Sequence, residues 1–567
     1  MTLSREASVS GARLIVDALE RLGVTVAFGL PGVHNLAIWS ALRGSAIRLI
    51  GVRHEQAAVY AADGFARATG KLGVALVTTG PGAANALAAT GEAMASGSPV
   101  LVLATDIATT LRRSGVCRGS LHEMRDQAAM FAPVTRQATT ASAAEQLGEH
   151  VACAGRHALT APSGPVYVGL PTDLLSSPVV GGAPGSAVDV KPQAPPSLPA
   201  VDDLAAALRV LEESRRPLVW AGGGALRAGA GTAVGELAAR LAAPVLTTYA
   251  ARGLLAADHP CAVAGPPHLP EVGALWDEAD AVIAIGSDLD GMMTQNWAMP
   301  APPRMVAINV DAVDAAKSYG PDVTLVGDAL AVTAAVARHV RQRTGLTALQ
   351  RRLRSLALRI EQTVAGDEPQ AARLLAIMRT ALPADTVVVA DMCIPGYWLG
   401  GFHMVAAPRK LAYPVGWGTL GFAFPASLGV ALAGVGRAVC VCGDGGFLVA
   451  CGELATAVQE QLEVTVVIAD DGGYGMLRFD QQRAGDSRFG VDLATPDFVA
   501  LARAFGVPAA RVQGFGDEFA AELASSLSVR GPVAIVVEAT LRPPPTTSPR
   551  WYRRALTTRP DPQEDSR

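Results

Sequence analysis

The chain has too little cysteine, in the wrong arrangement, for a disulfide framework. Its seven cysteines are Cys117, Cys153, Cys261, Cys393, Cys440, Cys442 and Cys451, an odd number with no C-x-x-C pair. Free buried thiols in a reducing cytoplasm are expected instead. An excess of positive charge is missing as well: 47 Lys+Arg stand against 51 Asp+Glu, for a net charge of −4. Lys and Arg do not cluster, so nucleic acid is not an expected partner. No uninterrupted apolar run is long enough to cross a bilayer. The opening Met1-Thr2-Leu3-Ser4-Arg5-Glu6 lacks the apolar stretch of a secretory signal. These absences predict a cytoplasmic protein with no membrane partner.

What is present is a long chain with ample apolar content. With 567 residues, half of them hydrophobic, three or four domains with large cores are expected. Short apolar runs recur at βα spacing, at 24–28, 47–52, 74–78, 100–104 and 166–170. This rhythm predicts a parallel sheet with helices on both faces, closing near Asp173. Residues 174–200 are rich in Ser, Pro and Gly and read as a linker. A second α/β block spans 201–343, with strands at 217–221, 244–248, 281–285 and 305–310. An Arg-rich helical linker covers 344–375. A third block spans 376–541, with strands at 386–390, 438–442, 464–469 and 533–538. Residues 542–567 read as a mobile tail. The first and third blocks end on similar phrases, Gly164-Pro165-Val166-Tyr167-Val168-Gly169 and Gly531-Pro532-Val533-Ala534-Ile535-Val536. That faint echo fits two related domains. The predicted fold is α/β, with three doubly wound parallel-sheet domains.

Chemistry concentrates in the third block. Gly443-Asp444-Gly445-Gly446-Phe447 follows one apolar strand, and Asp470-Asp471-Gly472-Gly473-Tyr474-Gly475 follows the next. Ligands of open α/β sheets bind at the carboxyl ends of strands. Glycines there let backbone approach a diphosphate, and helix-start N–H groups hold its oxygens. Mg²⁺ takes oxygen ligands and is usually shared with phosphates. Asp444 and Asp471 are placed to give two of those ligands.

Near the N-terminus stands Arg53-His54-Glu55-Gln56-Ala57-Ala58-Val59-Tyr60-Ala61-Ala62-Asp63-Gly64-Phe65-Ala66-Arg67-Ala68-Thr69-Gly70. With the third-block motifs, it resembles the thiamine-diphosphate enzymes of the acetolactate synthase and 2-oxo-acid decarboxylase family, over roughly residues 5–545. The resemblance implies a pyrimidine-binding first domain, a central Rossmann-like domain and a diphosphate-binding third domain. It implies thiamine diphosphate and Mg²⁺ as cofactors, with Asp444, Asp471 and the Gly473 carbonyl on the metal. Gly443, Gly445, Gly446, Tyr474 and Gly475 would line the diphosphate. Glu55 would share a proton with the aminopyrimidine. In Gly416-Trp417-Gly418-Thr419-Leu420-Gly421, the Gly418 carbonyl would accept from the 4′-amino group, and Leu420 would wedge the two rings apart. His34 and His122 are candidates for steering protons at the substrate.

The pattern departs from the family at Asp470-Asp471, which replaces an Asn pair and adds negative charge beside a diphosphate. Gly32-Val33-His34, Leu121-His122-Glu123 and Thr495-Pro496-Asp497-Phe498 look most like the branch that decarboxylates 5-guanidino-2-oxopentanoate, although no acidic pocket for a guanidinium stands out. FAD, which some relatives hold in the central domain, is not expected: Gly222-Gly223-Gly224-Ala225-Leu226-Arg227 lacks the last glycine of a dinucleotide motif. A flavin-containing acetolactate synthase or oxidase is the alternative. So is a non-catalytic scaffold, suggested by the acidic pair. The expected reaction is decarboxylation of a 2-oxo acid, ending in an aldehyde or in ligation to a second carbonyl. The resemblance also implies a homodimer or homotetramer, with active sites between subunits.

Overall fold

Strand and helix alternate three times along the chain, and each repeat closes into its own parallel sheet. The computed structural model describes residues 8–113, 115–179 and 198–545. The first sheet contains β1 (Val26–Gly29), β2 (Arg48–Gly51), β3 (Gly73–Val77), β4 (Val100–Asp106), β5 (Gln137–Thr140) and β6 (Val166–Pro171). Its spatial order is β2-β1-β3-β4-β6-β5. The second contains β7 (Pro217–Ala221), β8 (Val245–Thr247), β9 (Ala281–Ile285), β10 (Met305–Asn309) and β11 (Val323–Val326), ordered β8-β7-β9-β10-β11. The third contains β12 (Val387–Ala390), β13 (Leu411–Ala412), β14 (Ala438–Gly443), β15 (Val464–Asp470), β16 (Ala509–Gln513) and β17 (Val533–Glu538), ordered β13-β12-β14-β15-β17-β16. The first and third sheets thus share one strand order. Their interior strands are apolar along their length, because helices cover both faces; every residue of β3 and β4 is buried.

The first domain runs past Asp173. A short helix covers Thr172–Ser176, and Pro178–Val179 pairs antiparallel with Val9–Ser10. The expected linker is described only outside 180–197, and the expected tail lies outside the described residues from 546 onward. The Arg-rich segment forms a long helix at Leu346–Asp367. Its buried Leu353, Leu356, Ile360 and Val364 fall on one helical stripe. A second helix, Pro369–Ala381, packs against it.

Six helices matter below: α1 (Glu55–Thr69), α2 (Leu346–Asp367), α3 (Pro369–Ala381), α4 (Ile394–Phe402), α5 (Ala423–Leu432) and α6 (Asp444–Ala450). Helix α1 of the first domain crosses α5 of the third at glycines. A Cβ on Gly64 would stand 2.1 Å from the Ala426 carbonyl oxygen, and one on Gly429 would stand 1.8 Å from that of Ala61. Only glycine admits backbones this close. One apolar core runs through both domains, from Phe28 and Tyr60 to Phe422, Phe447 and Ile468.

None of the cysteines is paired among the described residues. The sequence reading of them as buried needs correcting: Cys117 and Cys153 are exposed. They lie on a surface loop and on the outer face of a helix, where the small thiol gives no burial signal of its own. No helix among the described residues is long and apolar enough to cross a membrane.

Candidate active site

The turn at Thr78–Gly82, leaving β3, gathers the polar groups of the first domain. Glu55 opens α1 behind His54, whose Nδ1 caps the helix by accepting from Gln56 N at 3.2 Å. The Glu55 carboxylate is buried, at 6% exposure. Its Oε2 accepts from Asn85 Nδ2 at 3.0 Å. Gly82 packs over it: a Cβ there would lie 3.1 Å from Glu55 Oε1 and 2.7 Å from Thr78 Cγ2. Gly32 leans on the same Thr78, and Gly80 on the His122 carbonyl. Gln127 pins the turn, accepting from Gly80 N at 2.7 Å and donating to the Tyr167 hydroxyl at 2.7 Å.

His34 and His122, far apart in sequence, meet on this turn. Their rings stand 5.2 Å apart, edge to face. Each Nδ1 is buried without a hydrogen-bond partner. His122 sits at φ 65°, a left-handed conformation uncommon for a side-chain-bearing residue. Burial lowers the His34 pKa, and the neighbouring His122 lowers it further, while Asp106 pulls it up. Asp106 is itself ion-paired with Arg112.

In the third domain, α6 begins at Asp444 itself. Helix covers Asp444–Ala450 and is followed by a 3₁₀ turn at Cys451–Glu453. Asp444 therefore occupies a helix first turn, where N–H groups are free. Its Oδ1 accepts from Gly445 N at 2.7 Å, while Oδ2 is buried with no partner. Burial raises its pKa. Asp471 follows β15, and its pKa is pushed up to about 6, first by burial and then by the charge of Asp444. Glycine is needed all around this pair. A Cβ on Gly475 would fall 2.1 Å from Asp471 Oδ2, and one on Gly445 would fall 2.7 Å from the Tyr474 ring. Gly472 takes φ 78°. The Gly473 carbonyl accepts from Gly475 N at 3.1 Å.

Leu420 reaches over this floor: a Cβ on Gly446 would stand 3.5 Å from its Cδ1. Gly418 at φ 71° and Gly421 at φ 81° shape the loop that presents it. Gly443 lies beside Cys393 at the start of α4. Glu55 thus clusters with Asn85 and Gly82 on the first sheet, and Asp444 with Asp471 and Tyr474 on the third.

Comparison with known proteins decides the family. Residues 9–130 match the N-terminal TPP binding domain of thiamine pyrophosphate enzymes, 204–336 the central domain and 394–537 the C-terminal TPP binding domain. The chain belongs to the thiamine pyrophosphate enzymes. It is 34% identical to a probable 2-ketoarginine decarboxylase of Pseudomonas aeruginosa, across 94% of each chain. It is 32% identical to a probable acetolactate synthase large subunit of Methanocaldococcus jannaschii, over 89% of this chain and 88% of that one. An acetolactate synthase of Bacillus subtilis is 29% identical, over 93% and 92%. The chain is an enzyme of the decarboxylase and carboligase kind that these relatives represent.

This thiamine pyrophosphate enzyme uses three buried acids that sequence reasoning passed over. Asp391, 1% exposed, directly follows β12. It accepts from Gly421 N at 3.1 Å and Ala423 N at 3.4 Å, fixing the loop that carries Leu420. Glu92 accepts from Trp417 N at 3.3 Å and pairs with Arg67 at 3.0 Å, tying that loop to the first domain. Glu453 accepts from Arg53 N at 2.9 Å and His54 N at 3.1 Å, anchoring the segment that bears Glu55. Only Asp391 left a trace in the sequence, an acid directly after a strand.

The residues fit a metal–diphosphate group. The buried, unpartnered Asp444 Oδ2 calls for a cation. Burial and the Asp444 charge raise the pKa of the neighbouring Asp471, which Arg478 only partly offsets. The glycines around them leave backbone bare where a Cβ would intrude.

Proposed function

We propose that this enzyme decarboxylates a 2-oxo acid with thiamine diphosphate and Mg²⁺ and releases an aldehyde. The observation that carries the reading is the buried Asp444 Oδ2 with no protein partner, beside Asp471 and a glycine floor. Asp444, Asp471 and the Gly473 carbonyl would hold the metal. Thiamine diphosphate, when bound, supplies the nucleophilic carbon and the electron sink for loss of CO₂. Gly443, Gly445, Gly446, Tyr474 and Gly475 would seat its diphosphate, and Leu420 and the Gly418 carbonyl would orient its rings. Glu55, buried and steadied by Asn85, would hold a proton at the aminopyrimidine nitrogen.

Aldehyde release needs a proton at the carbon that loses CO₂. His34 and His122 offer two imidazoles on one rim, each with a free Nδ1. That pair favours protonation over ligation. The acetolactate synthases among the relatives support ligation to a second carbonyl as the other fate. The 2-ketoarginine decarboxylase makes guanidino-oxo acids natural members of the substrate panel. The reading also takes the enzyme as a homodimer or homotetramer of the cytoplasm. Flavin is not needed: Arg227 lies over Gly223, 2.9 Å from where its Cβ would stand, and donates to the Ser96 carbonyl.

The test is CO₂ release from a panel of 2-oxo acids, including pyruvate and 2-ketoarginine, with thiamine diphosphate and Mg²⁺ present and products identified. CO₂ from at least one member with matching aldehyde supports the reading. Release from none sinks it.

A further inference from the structure

A second cavity lies away from this site, between the edge strand β8 of the middle sheet and the helix pair α2 and α3. It holds about 400 Å³, within the roughly 300–1,000 Å³ of small-ligand sites. Its wall is mostly apolar, from Val263, Leu353, Ile360, Val364, Leu375 and Phe402. Arg354, Glu361 and Arg379 line it as well and are exposed to solvent; Glu361 and Arg379 pair with each other at 2.8 Å.

One wall residue does not belong in an apolar lining. Arg252 is half-buried in the wall, and burial pulls its pKa down to about 10 while the nearby Tyr249 pulls it up. Its Nη2 donates to the His403 carbonyl at 2.7 Å, but its Nε is buried with no hydrogen-bond partner. No ion pair to Arg252 exists among the described residues. The nearby His403 adds no second charge, since burial and the Arg252 cation pull its pKa down to about 4, and an imidazole offers no counter-charge in any state. A half-buried cation with no ion pair gains from an anion brought beside it in the cavity. A guanidinium presents a planar fork of donors that matches a carboxylate.

We propose that this cavity binds a small amphipathic carboxylate, its head on Arg252 and its aliphatic chain along the α2–α3 wall. A single unpaired guanidinium suits one negative charge better than a phosphate dianion. The apolar wall explains the chain, and the exposed residues at Arg354 and Arg379 provide the way in. This site is separate from the proposed catalytic residues, so it stands or falls independently of the reaction assigned above.

The full-length protein, loaded with thiamine diphosphate and Mg²⁺, is titrated calorimetrically with decanoate, decanol and inorganic phosphate. Decanoate is expected to bind once per chain and phosphate not at all. Arg252→Met, which keeps length and removes charge, should weaken decanoate by about tenfold or more while leaving decanol unchanged. Ala357→Phe, which fills the cavity from α2, should abolish binding of both, and it decides the matter even where Arg252→Met does not fold. The proposal is overturned by absence of decanoate binding at about 1 mM, by equal affinity in Arg252→Met, or by binding that survives Ala357→Phe. It also fails if decanoate binds only after the residues beyond 545 are removed, for then the tail is the occupant.

Discussion

Asp471 belongs to the acidic pair Asp470-Asp471 that sets this sequence apart from the motif it resembles, and a cation stands beside it. Arg478 donates to the Asp471 carbonyl at 2.6 Å and stands 3.4 Å from its Oδ1. The same guanidinium pairs with Asp492 at 2.6 Å. The extra carboxylate is thus partly offset by a neighbouring cation, yet its pKa still rises from 3.8 to about 6. In the metal-free protein the folded state therefore holds a proton that the unfolded chain releases near its ordinary value. The stabilisation is present below that ordinary value and is lost as pH rises through about 6. Asp471→Asn removes this dependence. In chelator, its melting temperature relative to wild type should be higher at about pH 7 than at about pH 5; a constant difference would refute the sign. Glu55→Gln should cut turnover by roughly 10²–10⁴-fold, measured as steady-state CO₂ release, with near-normal rates overturning its role. Asp444 was legible in the sequence because glycines surround it at a strand end, and Glu55 through the resemblance of the 53–70 segment to the family. Glu92 and Glu453 were not, since each is a lone acid whose partners, Trp417 in one case and Arg53 in the other, lie hundreds of residues away. His34 and His122 were each legible singly, but not as a pair.

At the scale of elements, the interior strands announced themselves, as did the edge strands β2 and β8, while the other four edges of the three sheets did not. Strands 217–221, 281–285 and 533–538 are as the apolar runs placed them. The strands passed over, β5, β11, β13 and β16, are edge strands of their sheets. Gln137-Ala138-Thr139-Thr140 and Ala509-Ala510-Arg511-Val512-Gln513 carry polar residues because one side meets solvent. The crossing of α1 and α5 was equally hidden, since Gly64 and Gly429 look like weak points in helices until their opposite carbonyls are known. Gly429→Ala must push the two helix backbones apart and should destabilise the protein by about 1–3 kcal/mol, read by denaturant unfolding. Gly475→Ala crowds Asp471 Oδ2 and should weaken Mg²⁺ binding by calorimetry with less effect on melting; unchanged affinity would show that Asp471 is not a ligand.

For the molecule as a whole, the shared strand order of the first and third sheets gives the echo of Gly164-Pro165 and Gly531-Pro532 a structural meaning. Each phrase leads into a strand one place in from the edge, β6 and β17. Two lobes of one plan, each carrying half of the proposed site, suit assembly between chains. Co-expressed Glu55→Gln and Asp444→Ala chains test this: a mixed dimer regains one intact site only if Glu55 and Asp444 work across subunits, and two inactive sites result if they work within one chain. Recovered CO₂ release in the purified mixed dimer, up to about half of wild type, is the expected outcome. The glycine crossing at residues 64 and 429 has one more consequence. The backbones touch directly at these two glycines, within a shared core that includes the aromatic contact of Tyr60 with Phe422. The lobes therefore cannot slide past each other there without breaking both the crossing and the core around it. Admission of substrate and departure of product therefore fall to peripheral loops, and turnover should respond to their chain stiffness rather than to any hinge between lobes.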